Sequence, residues 1–175
     1  MKKTKVKVFN KSNNELPDYS TKYSAGFDIR VDLSRVLKKE DLKGRLEYVS
    51  FEINEKGSKT ITLFPNGRVL IPTGLHVEIP GGYELQIRPR SGLSIKHGIM
   101  IVNSPGTIDS DFRGEINIIV YNSDPIYPFE ILDGDRIAQG VLNKIEQINW
   151  VSVAHLEDLT DTERGEGGFG HTGTK

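Results

Sequence analysis

Apolar residues recur at every second position through most of this chain. Lys5 to Phe9, Val69 to Ile79, Tyr83 to Arg88, Glu115 to Tyr121 and Ile137 to Leu142 are rich in Val, Ile and Tyr and are bounded by Pro and Gly, the pattern of strands with one buried face. Pro80-Gly81-Gly82, Pro105-Gly106 and Asp133-Gly134 punctuate them, each a dipeptide or tripeptide suited to a turn. The periodicity predicts an all-β chain, an antiparallel sandwich or barrel. One stretch departs from it. In "LSRVLKKEDLKG", Leu33, Val36, Leu37 and Leu42 follow helical spacing and stop at Gly44, which predicts a short amphipathic helix. No internal repeat interrupts the pattern.

Composition narrows the picture. A chain of 175 residues fits one domain and is long enough to bury a core unaided. Lys and Arg number 23 against 24 Asp and Glu, a formal net charge of -1. That balance gives no global attraction to nucleic acid or to an anionic membrane, so neither is expected as a partner. The absence of cysteine excludes disulfides and thiolate chemistry and agrees with a reducing, cytoplasmic location. "MKKTKVKVF" lacks the continuous apolar run of a signal peptide, and no stretch is long enough to span a bilayer.

Candidate chemistry gathers in five blocks. "NSPGTIDSDFRGEI", residues 103 to 116, reads as a hairpin or tight strand-turn-strand. If it is extended, Asp109 and Asp111 share a face; they are either solvated turn acids or, beside Arg113, a pair in which one carboxylate acts as a base while the other is held in an ion pair. In "PRSGLSIKHGI", residues 89 to 99, a helix starting near Ser91 turns its first amides outward, as phosphate sites do; a capped surface helix is the plainer reading. "AGFDIR", residues 25 to 30, sets Asp28 in an apolar run, where a carboxylate needs a partner. "GDRIAQG", residues 134 to 140, places Asp135, Arg136 and Gln139 at the mouth of a strand, and a turn aspartate paired with its neighbouring arginine explains it as well as a site does. "RGEGGFGHTG", residues 164 to 173, is either a solvated tail or a lid whose glycine amides order around an anion. No HExxH, GxSxG or GxxxxGKS/T motif competes, and the four histidines are too scattered for an evident metal site.

In this order and spacing the five blocks resemble the trimeric dUTP diphosphatases, the dUTPases. The resemblance implies a jelly-roll-like antiparallel β fold with one or two short helices, assembled as a homotrimer with sites shared between subunits. It implies Mg2+-dependent hydrolysis of dUTP to dUMP and pyrophosphate, which keeps uracil out of DNA and supplies dUMP for thymidylate synthesis. Asp109 takes the place of the catalytic aspartate that holds the attacking water. Asn103 with Gly106, Thr107 and Ile108 would read the uracil edge, and Phe112 would pack on the deoxyribose. Arg90, Ser91, Gly92 and Gln139 match phosphate-side contacts, and Asp28 the carboxylate near magnesium-bound waters. In the lid, Phe169 would stack on uracil while Arg164, Gly170, His171 and Thr172 close over the nucleotide and its phosphates.

The implied organisation is a β domain over residues 1–163 and a glycine-rich lid over residues 164–175. Two departures stand out. Phe112 replaces the tyrosine usual in the family, and residues 32–59 read as an insertion, preferentially a surface elaboration of one strand pair. Two rivals follow from the same residues: a dCTP deaminase, which shares the fold, and a non-catalytic nucleotide-binding or regulatory β module.

Overall fold

The structure is a computed structural model and describes residues 3–168, 171 and 173. It divides into two units, Met1–Ile145 and Glu146–Lys175, a division that falls earlier in the chain than Arg164. In the first unit the strands are β1 (Lys7–Asn10), β2 (Phe27–Arg30), β3 (Lys43–Gly44), β4 (Val49–Ile53), β5 (Lys59–Leu63), β6 (Arg68–Pro72), β7 (Leu75–Glu78) and β8 (Tyr83–Pro89). Helix α1 (Ser91–His97) follows, then β9 (Ile99–Ile101), β10 (Gly106–Ile108), β11 (Asn117–Asn122), β12 (Phe129–Leu132) and β13 (Arg136–Lys144). Their orders are β1-β7, β10-β8-β13-β2, β3-β6-β11-β9 and β12-β5-β4. Every pairing among the described residues is antiparallel.

Alternation drives this arrangement. Ile118 and Val120 of β11, Val69 and Ile71 of β6, Leu85 and Ile87 of β8, and Ile61 and Leu63 of β5 turn inward into one shared core. Period-two patterns bury one face of a strand by construction. Strand β13 departs from the rule where its register shifts between Arg136 and Ala138, and Ile137 and Ala138 are both buried. Such a bulge bends a strand and re-aims its side chains, here at the end of the sheet where Arg136 and Gln139 lie.

The run from Val69 to Ile79 is two strands in two sheets. At the break Gly74 has φ of +72°, and a Cβ there would lie 2.7 Å from the Ser12 nitrogen and 2.9 Å from Asp32 Oδ2. The Thr73 hydroxyl donates to the Ile116 carbonyl at 2.6 Å, anchoring the corner from inside.

Residues 32–59 differ most from expectation. The amphipathic helix over Leu33–Gly44 does not form; turns, a 3₁₀ turn at Lys39–Asp41 and strand β3 take its place. Side chains capture the backbone groups a helix would use: Leu33 N donates to Asp133 Oδ1, Leu37 N and Lys38 N donate to Asp41 Oδ2, and Lys59 Nζ donates to the Leu33 and Ser34 carbonyls. Local side-chain bonds of this kind compete with helix formation. Nor is the segment a surface decoration. Leu33, Val36, Leu42 and Val49 belong to the core, β3 pairs with β6 and β4 with β5.

Leu33 is 0% exposed and Leu37 is 71% exposed, which separates the two readings. Leu33→Ala is expected to lower the free energy of unfolding by about 2–5 kcal/mol, and Leu37→Ala by no more than about 0.5 kcal/mol. Urea unfolding of both variants checks this, and equal, small losses would return the segment to the surface.

Candidate active site

Three strands and the start of α1 build one charged corner. Asp28 on β2 faces Gln139 on β13, and Gln139 faces Arg88 on β8. Arg90, just beyond β8, folds back over them. It donates from Nε to Asp28 Oδ1 at 2.8 Å, from a terminal nitrogen to Asp28 Oδ2 at 3.3 Å, and from the other to the Arg136 carbonyl at 2.9 Å. Arg136 donates to Asp28 Oδ2 at 3.2 Å, and Gln139 Nε2 donates to the Pro89 carbonyl at 2.8 Å. The half-buried carboxylate of Asp28 thus has two guanidinium partners, as its place in an apolar run demanded. The corner opens into a groove of about 710 Å³ lined by Asp28, Arg90, Ser91, Gly92, Lys96, His97, Arg136, Gln139, Ser20 and residues 24–26. Its side chains suit an anion with several oxygens, because planar guanidinium forks and flexible ammonium groups recognise phosphate well.

Five of the predicted residues therefore meet here: Asp28, Arg90, Ser91, Gly92 and Gln139. Arg136, named in its block but not among the expected site residues, belongs with them. Its expected partner was Asp135; instead Asp135 Oδ2 accepts from Leu132 N at 2.9 Å, closing its own turn, and Arg136 turns to Asp28.

The second group lies elsewhere on the same sheet. Strand β10 pairs with β8 on the side away from β13, with Gly106 opposite Ile87, Thr107 opposite Gln86 and Ile108 opposite Leu85. Residues 103–116 do not form a hairpin, because β10 and β11 belong to different sheets; the chain turns a corner between them. Asp109 and Asp111 share no extended face. Phe112 N donates to the Asp109 carbonyl at 3.2 Å, and Arg113 donates to the Ser110 and Phe112 carbonyls at 2.7 and 2.9 Å rather than to either aspartate. Asp109 stands exposed at this turn, as do Asn103 and Thr107. Phe112 is 41% exposed, its ring folded over Gly114, where an added Cβ would overlap it.

Register sets the distance between the groups. Asp109 follows the residue opposite Leu85 and so comes level with Glu84, while Arg90 lies beyond the other end of β8. At about 3.3 Å per residue, the two are separated by ~20 Å along the strand. Within one chain the Asp109 turn and the groove therefore lie toward opposite ends of β8.

In the second unit Arg164 Nε donates to the Gly167 carbonyl at 2.7 Å, and Arg164 and His171 are exposed. The predicted Phe169, Gly170 and Thr172 lie outside the described residues.

No group of three or more His, Asp or Glu capable of holding a metal exists among the described residues. Asp28 fits an outer role only. A carboxylate offers about four lone-pair sites, and Arg90 and Arg136 occupy three of them, leaving room for a water but not for displacement by a bare cation.

Comparison with known proteins now decides the family. The dUTPase family profile matches residues 51–173, most of the chain. The chain belongs to the dUTPase family. It is 49% identical over 174 residues to the deoxyuridine 5'-triphosphate nucleotidohydrolase of Fusobacterium nucleatum, covering 99% of each chain. It is 49% identical over 169 residues to that of Finegoldia magna, covering 97% of this chain and 99% of the relative. Among solved structures it is similar to the dUTPase of Staphylococcus bacteriophage 80alpha with dUPNHPP, at TM-score 0.73 and 25% identity over 98% of this chain and 99% of that one.

The Asp28 cluster carries its own test. Asp28→Ala leaves two guanidiniums facing each other without an anion, and losing hydrogen bonds to charged groups is expected to cost about 1.5–3 kcal/mol. Chemical denaturation measures it; a variant as stable as the wild type would show that the cluster does not hold the corner together.

Proposed function

We propose that the chain hydrolyses dUTP to dUMP and pyrophosphate in a homotrimer whose sites are shared between subunits. The observation that carries this reading is the ~20 Å imposed by the β8 register. The sugar and the phosphates of one nucleotide are a few bonds apart, so the Asp109 turn of one chain must work with the groove of another.

Each part has a task. Arg90, Ser91, Lys96, Arg136 and Gln139 line the groove and hold the triphosphate. Asn103 and the backbone of Gly106–Ile108 read the uracil edge, and the Phe112 ring packs on the deoxyribose. That ring keeps the sugar contact of the tyrosine usual in the family and forgoes its hydroxyl. Asp109 accepts a proton from the attacking water as its oxygen bonds to the α-phosphorus, and the α-to-β bridging oxygen leaves with pyrophosphate. Magnesium bound with the triphosphate would supply charge neutralisation, and Asp28 would hold one of its waters. Arg164, Phe169, Gly170, His171 and Thr172 close over the nucleotide as a lid, whose glycine-rich segment orders at an entropic cost met only when substrate is bound. Removing dUTP keeps uracil out of DNA, and dUMP feeds thymidylate synthesis. The proposed site of action is the cytoplasm; separately, no helix among the described residues is long and apolar enough to cross a membrane.

The protein incubated with dUTP and magnesium is expected to release pyrophosphate. Asp109→Asn should keep dUTP binding while turnover falls by about 10²-fold or more, the usual worth of a general base. Values of kcat/KM for dCTP and UTP should fall well below that for dUTP, because a mismatched base edge leaves buried groups unpaired. Ammonia release from dCTP would instead favour the deaminase, and nucleotide binding without pyrophosphate release a regulatory module.

A further inference from the structure

The turn that carries Asp109 has two legs, held in different ways. The leading leg, β10, is fixed by its ladder to β8, which ends at Ile108. Bonds inside the turn, from Phe112 N and the Arg113 side chain, link it to itself, and among the described residues its one tie to the sheets before Glu115 is on the trailing side, where the Arg113 carbonyl meets His76 Nδ1 of β7 at 3.0 Å. Its orientation is therefore set by the trailing leg.

That leg is gripped at Glu115. Gly74 N donates to Glu115 Oε1 at 2.8 Å, and the Arg35 guanidinium bonds both carboxylate oxygens, one terminal nitrogen reaching Oε2 at 3.0 Å and the other Oε1. Arg35 is itself oriented by Asp32, whose Oδ2 accepts from Nε at 3.4 Å and from a terminal nitrogen at 3.2 Å. Asp32 is 1% exposed, so this anchor is fixed in the core. Next along, Ile116 N donates to the Leu75 carbonyl at 2.8 Å. Burial alone would raise the Glu115 carboxyl, but the Arg35 hydrogen bond, the Gly74 amide and the nearby positive charge outweigh it and hold the group below its ordinary range.

We infer that Arg35, acting through Glu115, is a positioning residue for the Asp109 turn in the hydrolysis proposed above. One guanidinium nitrogen touches both Asp32 and Glu115, so without Arg35 two carboxylates with little access to water face each other. Like charges at that range repel. Asp32 is locked in the core, so the leg bearing Glu115 moves, and the Asp109 carboxylate moves with it. A misplacement of about 1 Å at a reacting group costs up to about 10²-fold in rate. Arg35 touches neither the groove nor β10, which hold the phosphates and the base in the reading above, so the loss falls mainly on kcat.

The test measures kcat and KM for dUTP in Arg35→Ala, Arg35→Lys and Lys59→Met, each at a temperature where it is folded. Arg35→Ala is expected to lose about 10- to 100-fold in kcat with KM within about twofold. Arg35→Lys restores the charge without the two-pronged grip and should fall between. Lys59→Met removes two bonds to carbonyls of the same segment without touching Glu115, and should lose stability but not kcat. In an Asp109→Asn background, Arg35→Ala should cost nothing more. An Arg35→Ala enzyme with wild-type kcat, or losses that multiply in the double variant, would overturn the assignment. If Arg35→Ala does not fold, Arg35→Lys carries the same comparison, and wild-type kcat in it overturns the assignment equally. Failure of the wild type to release pyrophosphate, or full turnover by Asp109→Asn, would sink the hydrolysis reading instead.

Discussion

Strand β8 hydrogen-bonds on both sides, to β13 along seven residues and to β10 along three, and the rest of the candidate site depends on those two registers. The β13 side brings Asp28, Arg90, Arg136 and Gln139 to one end of the sheet. The β10 side sends Asp109 to the other. Because a slip of one residue would turn every side chain to the opposite face, alternating burial along β8, with Leu85 and Ile87 inward, fixes both ends at once. The separation of the two groups is thus a direct consequence of strand geometry.

The segment from Asp32 to Lys59 ties this sheet to the others. Its apolar residues fill the core, its edge strands extend two sheets, and its arginine reaches across to the trailing leg of the Asp109 turn. A stretch rich in charge in sequence is here a structural link between the core and the chemistry. Charged side chains in it serve as hydrogen-bond partners for backbone, which is how irregular chain satisfies its polar groups without a helix or ladder.

Long alternating strands were legible from sequence. Asn117–Asn122 shows why: each second residue is inside, and nothing else competes for its backbone. Short elements were not, since β9, β10 and β12 hold three or four residues each, too few for a period. The Leu33–Gly44 stretch was misread because its apolar spacing fits a helix while the groups that unmake the helix, Lys59 and Asp133, lie far along the chain. The same limit applies at the site. Asp28 declared itself by sitting among apolar neighbours, and its block and that of Arg90 pointed to the groove. Arg136 hid behind an adjacent aspartate that had its own turn to close. Arg35 and Glu115, separated by 80 residues, have no local signal at all; only the fold reveals that they meet.

The central claim is that groove and turn serve one nucleotide from two different chains. Mixing Asp109→Ala with Arg90→Ala tests it most directly, once each variant alone is shown to be assembled, exchanging and inactive. In a cyclic trimer formed at random from equal amounts, three-quarters of the assemblies are mixed and one site in three of those joins an intact turn to an intact groove. About a quarter of wild-type dUTP turnover should therefore return. Assemblies that exchange subunits and remain inactive would contradict the account, placing turn and groove in the same chain's site.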